Sequence, residues 1–134
     1  MVWREKMNPL GLHPERFLVA QDANGAIKGF GQLEPKPSST DAQFLELRTL
    51  IVDHSCRGQG VGSAVLQQLV DRATNKDIYL TTLRQTRSFY EPAGFKEVPL
   101  KEAPRSMMFE VAAGTLVARL AAGDALIVMR RQKT

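Results

Sequence analysis

The chain has 134 residues, 43% of them hydrophobic and 24% charged, the balance of a single globular domain (1–134) long enough to bury a core. No window approaches the roughly 18 apolar residues of a membrane span, and the N-terminal MVWREKMNPLGLHPERF lacks the apolar stretch of a secretory signal. The net charge of +4 is spread along the chain rather than gathered on a basic helix, which argues against nucleic acid as a partner, and the single cysteine, Cys56, excludes an internal disulfide and fits a reducing, cytoplasmic setting.

In chain order, FLVA (17–20), an Asn24-Gly25 turn and AIKGFGQLE (26–34) read as a β-hairpin. EPKPSSTDAQ (34–43) has the Pro, Ser and Asp content of a loop. FLELRTLIV (44–52) is a longer strand, with Phe44, Glu46, Arg48, Leu50 and Val52 on one face and Leu45, Leu47, Thr49 and Ile51 on the other. A helix starts just after Gly60, because Val61, Val65, Leu66, Leu69, Val70 and Ala73 recur at helical spacing. IYLTTL (78–83) is the next strand, and a short helix near Thr86 to Tyr90 ends by Pro92 and Gly94.

FKEVP reads as a short strand. From Pro104 to Ala122 the pattern is helical, with Pro104 suited to a first turn, Gly123 to a stop and Gly114 to a break. ALIVMRR closes the chain as a strand. The order is mixed α+β, and the two strands joined through one helix are expected to be parallel neighbours with a right-handed crossover.

DHSCRGQGVGSAV (53–65) places Gly58, Gly60 and Gly62 at alternate positions between a strand and a helix. A helix N-terminus carries unpaired N–H groups and about half a positive charge. Glycines before it let a phosphate approach the backbone, and Arg57 adds a mobile charge. The plain alternative is a tight turn needing positive φ. A Walker loop is excluded because no Lys-Ser or Lys-Thr follows the glycines. A dinucleotide fingerprint fails because Ser63 stands where its third glycine belongs and no acidic residue closes the following strand.

The stretch resembles the acetyl-CoA signature of the GCN5-related N-acetyltransferase (GNAT) superfamily, Arg/Gln-x-x-Gly-x-Gly/Ala, which Arg57-Gly58-Gln59-Gly60-Val61-Gly62 meets at every position. FYEPAGF (89–95) is similar to the family's Phe/Leu-Tyr-x-x-x-Gly-Phe box, although Pro92 stands where the family usually continues a helix. The resemblance runs over roughly residues 17 to 99. It implies the acyl-CoA N-acyltransferase fold: a mostly antiparallel, twisted mixed sheet with a central splayed parallel strand pair, flanked by helices. It also implies a direct acetyl transfer from acetyl-CoA, as cosubstrate and without a metal, to a primary amine on a small molecule or on a protein lysine or N-terminus.

Carried over residue by residue, the backbone of Leu50, Ile51 and Val52 holds the pantetheine arm, as in strand addition. The Leu50 N–H polarises the thioester oxygen, a contribution of roughly 3 kcal/mol in comparable oxyanion holes. Arg57 to Gly62 and Ser63 take the pyrophosphate. Glu46, eleven residues before Arg57, has the spacing of the catalytic base in the histone-acetylating branch. Its apolar face would raise its pKa toward that of a useful base, while an ion pair with Arg48 is the structural alternative. Tyr90 falls where the family commonly places the acid that protonates the departing thiolate, its alternative being packing beside Phe89 and Phe95.

Other residues carry less. Cys56 sits at a variable position of the motif, so a nucleophile is not expected there. His13 and His54 are too far apart in sequence to suggest a metal pair, and no Cys/His cluster exists. Met107, Met108 and Phe109 fit a helix core better than a substrate pocket. The family's first strand and helix are compressed into about sixteen residues here, and the 104–122 helix would cap the pocket or mediate a homodimer. The reading from a different class is a non-catalytic acyl-CoA-binding regulatory module.

Overall fold

The structure, a computed structural model, describes residues 2–4, 17–36, 43–73, 75–107 and 125–133. These carry the strands β1 (Val2–Arg4), β2 (Phe17–Gln21), β3 (Ile27–Lys36), β4 (Phe44–Val52), β5 (Ile78–Leu83), β6 (Lys96–Val98) and β7 (Leu126–Arg131), with helices α1 (Val61–Arg72) and α2 (Arg87–Tyr90). The chain forms two compact units, one of Met1–Pro35 and Leu47–Thr74, the other of Lys36–Glu46 and Asn75–Thr134. Among the described residues the strand pairings are mixed and mostly antiparallel, with a parallel pair of β4 and β5.

In the first unit the strands follow the order β1-β2-β3-β4. β2 and β3 form the expected hairpin, paired from Phe17↔Gln32 to Gln21↔Ile27. Its turn is held by the Asp22 carboxylate, which accepts from the N–H groups of Asn24 (2.9 Å) and Ala26 (3.0 Å). Those bonds hold the Asp22 carboxyl below its ordinary value, the Ala26 N–H being the largest cause. β1 pairs antiparallel with β2 (Val2↔Gln21 to Arg4↔Val19). It is a strand that sequence periodicity did not anticipate, because three residues are too few to show alternation.

Helix α1 buries Val61, Val65, Leu66, Leu69 and Val70, the face predicted from spacing. β3 is stripped of side chains where the helix lies. A Cβ on Gly31 would stand 2.6 Å from Leu69 Cδ1 and 3.1 Å from Val65 Cγ1. One on Gly29 would meet Ile51 O at 3.0 Å and Val61 Cγ1 at 3.1 Å. These two glycines let the helix sit directly on the strand, and so fix where its N-terminus lies relative to the end of β4.

In the second unit β5 is central. It pairs in parallel with the start of β4 through Leu45↔Ile78 and Glu46↔Tyr79, as the single-helix crossover predicts. On its other side it pairs antiparallel with β7 along its whole length, Ile78↔Arg131 to Leu83↔Leu126. β6 is the edge, antiparallel to β7. One face of this sheet packs Phe44, Tyr79, Ala103, Met107 and Val128 into a core, with Val98 and Leu126 against it. Phe44 and Tyr79 meet edge to face at 5.3 Å. Ile78, Leu80, Phe95, Ile127 and Met129 are also buried.

The predicted short helix is α2, entered through a 3-10 turn at Arg84–Thr86 and left through another at Glu91–Ala93. Met107 is buried, as a core residue is expected to be. Most of the predicted loop at 34–43, most of the predicted helix from Pro104 to Ala122, and His13, Met108 and Phe109 lie outside the described residues.

Candidate functional site: a glycine junction and two proton-transfer candidates

In the first unit, β4 ends at Val52 and the chain turns at Asp53. The Asp53 N–H donates to Lys28 O (2.8 Å), tying the turn to β3. Asp53 Oδ1 accepts from the Ser55 hydroxyl (2.8 Å) and N–H (2.9 Å), capping a 3-10 turn at His54–Cys56. Those bonds, the hydroxyl first, hold the Asp53 carboxyl below its ordinary value. The loop that follows is open, with Arg57, Gly58, Gln59 and Gly60 all exposed.

Gly58 (φ +80°) and Gly60 (φ +79°) are both left-handed, and a Cβ on either would meet no protein atom within 4 Å. The backbone conformation therefore demands glycine, as the turn alternative held. The empty space in front of them also satisfies the ligand reading, so the two readings are not exclusive. Gly60 is the N-cap of α1 and offers no side-chain cap. The first intrahelical bond runs from Ala64 N–H to Gly60 O (3.0 Å). The N–H groups of Val61, Gly62 and Ser63 therefore have no acceptor within the helix, and the positive end of its dipole faces the loop. Val61 is buried, Gly62 half-buried and Ser63 exposed.

Upstream on β4, Leu50 and Val52 are half-buried and Ile51 is 50% exposed. The Leu50-to-Ser63 set predicted to hold the coenzyme thus lies on one strand end, one loop and one helix start. It is a set of backbone donors with a single mobile cation, Arg57, at the loop mouth.

In the second unit Glu46 is 4% exposed. Its Oε2 lies 3.9 Å from Lys36 Nζ. Arg48, the alternative partner, has its Nε 3.4 Å from Glu34 Oε2 in the first unit. Lys36 and Glu34 both stand on β3. Lys36 went unnoticed because it falls in the Pro/Ser-rich stretch read as loop, and cross-strand register is not written in local sequence.

Tyr90, at the end of α2, is half-buried. It meets Phe89 edge to face at 4.9 Å and Phe95 at 6.0 Å, so the packing alternative is real. Burial also pushes its phenol above the ordinary value of 10.0, a rise partly offset by a hydrogen bond with Thr82. The phenol therefore keeps its proton at neutral pH. Thr82 is tied into the turn by its hydroxyl contact with Thr86, whose own hydroxyl donates to Leu83 O (2.8 Å). No sequence signal pointed to Thr82.

Glu46 is in register with Tyr79, and Tyr90 is bonded to Thr82, three positions further along β5. Odd spacing on a strand puts Tyr79 and Thr82 on opposite faces, about 10 Å apart along it.

Cys56 is buried, with its Sγ 3.6 Å from Ser55 Oγ. His54 is exposed. Among the described residues no group of three or more His, Cys, Asp and Glu is placed to hold a metal ion, and no helix is long and apolar enough to cross a membrane.

A family model described as an acetyltransferase (GNAT) domain matches residues 13–97. No curated protein matches the chain. Among solved structures, the chain is similar to N-acetylglutamate synthase from Neisseria gonorrhoeae complexed with coenzyme A and N-acetyl-glutamate. The two are 17% identical with a TM-score of 0.68, over 91% of this chain and 26% of that one. It is also similar to Arabidopsis thaliana Naa50 in complex with the bisubstrate analogue CoA-Ac-MVNAL (19% identity, TM-score 0.59, 88% of this chain and 73% of that one). A third likeness is to a histone acetyltransferase HPA2 and related acetyltransferase from Corynebacterium glutamicum (22% identity, TM-score 0.59, 88% and 64%). At these identities the likeness establishes the fold, and the chain spans about a quarter of the synthase's length.

Proposed function

The chain belongs to the GNAT acetyltransferase family, and from that premise we propose that it moves the acetyl group of acetyl-CoA directly to a primary amine. The observation that carries the reading is the junction at Gly58 and Gly60: two left-handed glycines with open space before them, at the N-terminus of the helix that follows β4. Such a junction presents several N–H donors and a positive dipole end to a diphosphate. In this reading the N–H groups from Gly60 to Ser63 take the pyrophosphate, with Arg57 pairing one of its charges. The backbone of Leu50, Ile51 and Val52 pairs with the pantetheine arm.

Acetyl transfer needs a neutral amine, a stabilised thioester oxygen and a protonated leaving thiolate. Glu46 takes the proton from the acceptor's ammonium so that the neutral amine attacks, with the Lys36 ammonium beside its carboxylate. The Leu50 N–H donates to the thioester oxygen as charge develops there. Tyr90 gives its proton to the sulfur. The raised pKa of the phenol and its Thr82 hydrogen bond suit it to that step.

The acceptor is a primary amine on a small molecule or on a protein. The synthase and Naa50 structures hold an acetylated amino acid and a peptide-bearing analogue respectively, which supports an amine on an amino acid or a peptide. The test is thiol release from acetyl-CoA by the full chain across a panel of amino acids, peptides, polyamines and arylalkylamines. Release with at least one amine is expected. Coenzyme A binding without release from any amine would move the chain to a non-catalytic module, and absence of binding heat with coenzyme A would remove both readings.

A further inference from the structure

At the edge of the second unit, Lys96 and Arg130 stand directly opposite each other in the antiparallel register of β6 and β7. Like charges in that position repel, and sequence alternation puts both on the Tyr79 face. Arg130 is hydrogen-bonded to Tyr79, and the carboxylates of Asp77 and Glu102 act on it electrostatically. On the next residue, Arg131 Nε donates to Ala93 O at 3.0 Å. Beyond the strand, the Lys133 N–H donates to Asp77 Oδ1 at 2.8 Å, fixing the chain there. Among the described residues the ammonium groups of Lys96 and Lys133 enter no ion pair.

Lys96, Arg130, Arg131 and Lys133 together line a cleft of about 400 Å³, within the size range of small-ligand sites. Among the described residues its wall holds neither a carboxylate nor an aromatic ring. Four cationic residues contribute to its wall, Lys96 and Arg130 in opposed register across a strand pair, and a multiply charged anion would relieve the repulsion between them. The two arginines are already held by hydrogen bonds to Tyr79 and Ala93, which lowers the entropy lost on binding. The absence of a ring argues against nucleobase stacking, so the recognised chemistry is the charged oxygen groups themselves.

We propose that this cleft binds a small polyanion carrying two or more phosphate groups. A phosphate carries up to two charges, so a chain of two or three of them matches four cations in a volume where singly charged carboxylates would not. Arg130 and Arg131 pair with Tyr79 and Ile78 at the start of β5. The inference rests on the cleft's own residues and not on the acetyl-transfer reading.

The experiment is calorimetric titration of inorganic tripolyphosphate into the full chain at fixed ionic strength, with citrate as the carboxylate comparison. Three proteins are compared: the wild type, Lys96→Gln/Lys133→Gln and Arg57→Gln. Both lysines are exposed, so the double variant keeps its fold. The expected result is a binding event that weakens at least about tenfold in the lysine double variant and persists in Arg57→Gln. No event in the wild type, an event indifferent to the lysines, or one lost with Arg57 would overturn the proposal. Equally tight citrate binding would overturn the phosphate assignment.

Discussion

Lys36 Nζ lies 3.9 Å from Glu46 Oε2, the carboxylate almost wholly buried and the ammonium reaching solvent. The pair brings a cation of β3 to the buried carboxylate of β4, and so ties the proposed base to the neighbouring strand.

Glu46→Gln keeps the shape and removes the base. It should lower kcat by about 10²- to 10⁴-fold with little change in the affinity for coenzyme A. Steady-state thiol release and calorimetry on the same protein separate the two quantities. Unchanged kcat would mean that a water chain or another group does the work.

Lys36→Met removes the positive charge that favours the Glu46 carboxylate. A protonated carboxyl is then easier to form, so the acid limb of the kcat/KM profile should move to higher pH. The variant also leaves a buried carboxylate without the cation 3.9 Å away, so it should lose roughly 1–3 kcal/mol of stability. A profile that stays in place would separate Lys36 from the base.

Tyr90→Phe removes the proposed acid while keeping the ring contacts with Phe89 and Phe95. Turnover should fall by about 10²-fold while binding of coenzyme A holds. Burial raises the phenol above 10.0, so the proton is present through neutral and mildly alkaline pH. The alkaline limb of the wild-type kcat profile should therefore lie above that value, and a limb near pH 8 would assign the acid to another group.

Gly60→Ala and Gly25→Ala form a matched pair. Both positions have positive φ (+79° and +83°), and at both a Cβ meets no protein atom within 4 Å. Backbone strain should cost each about 1–2 kcal/mol, read as similar falls in Tm. Affinity for coenzyme A should fall only in Gly60→Ala, because there the methyl group enters the space assigned to the diphosphate. Equal affinities in the two variants would remove the phosphate from that loop.

Gly31→Ala drives a methyl to 2.6 Å from Leu69 Cδ1 and should destabilise the first unit by about 1–3 kcal/mol. Combining it with Leu69→Ala should cost less than the two single changes together, as a thermal or denaturant double-mutant cycle would show. A fully additive cycle would mean that the helix shifts to make room.

What was legible in the sequence was local. The Asn24-Gly25 turn between apolar stretches, the period-two face of 44–52 and the helical spacing from Val61 to Ala73 each carry their own signal, and each element appears where that signal put it. Elements joined by one helix became the parallel pair of β4 and β5. What was not legible depends on partners distant in sequence. Glu46 meets Lys36 because of how β3 and β4 align, which residues 44–52 do not encode. Gly29 and Gly31 read as ordinary strand glycines until α1 is placed on top of them. The hydrogen bond between Thr82 and the Tyr90 phenol likewise joins residues of two different elements.

The three-residue outermost strand has a bearing on how this protein behaves when concentrated. Lys96 and Glu97 put a charge on either side of its ribbon, and Pro99 directly after it has no N–H to offer. A neighbouring molecule seeking to extend the sheet would find a rail too brief, too charged and too soon interrupted to zip onto, so β6 guards against self-assembly into fibrils through this margin.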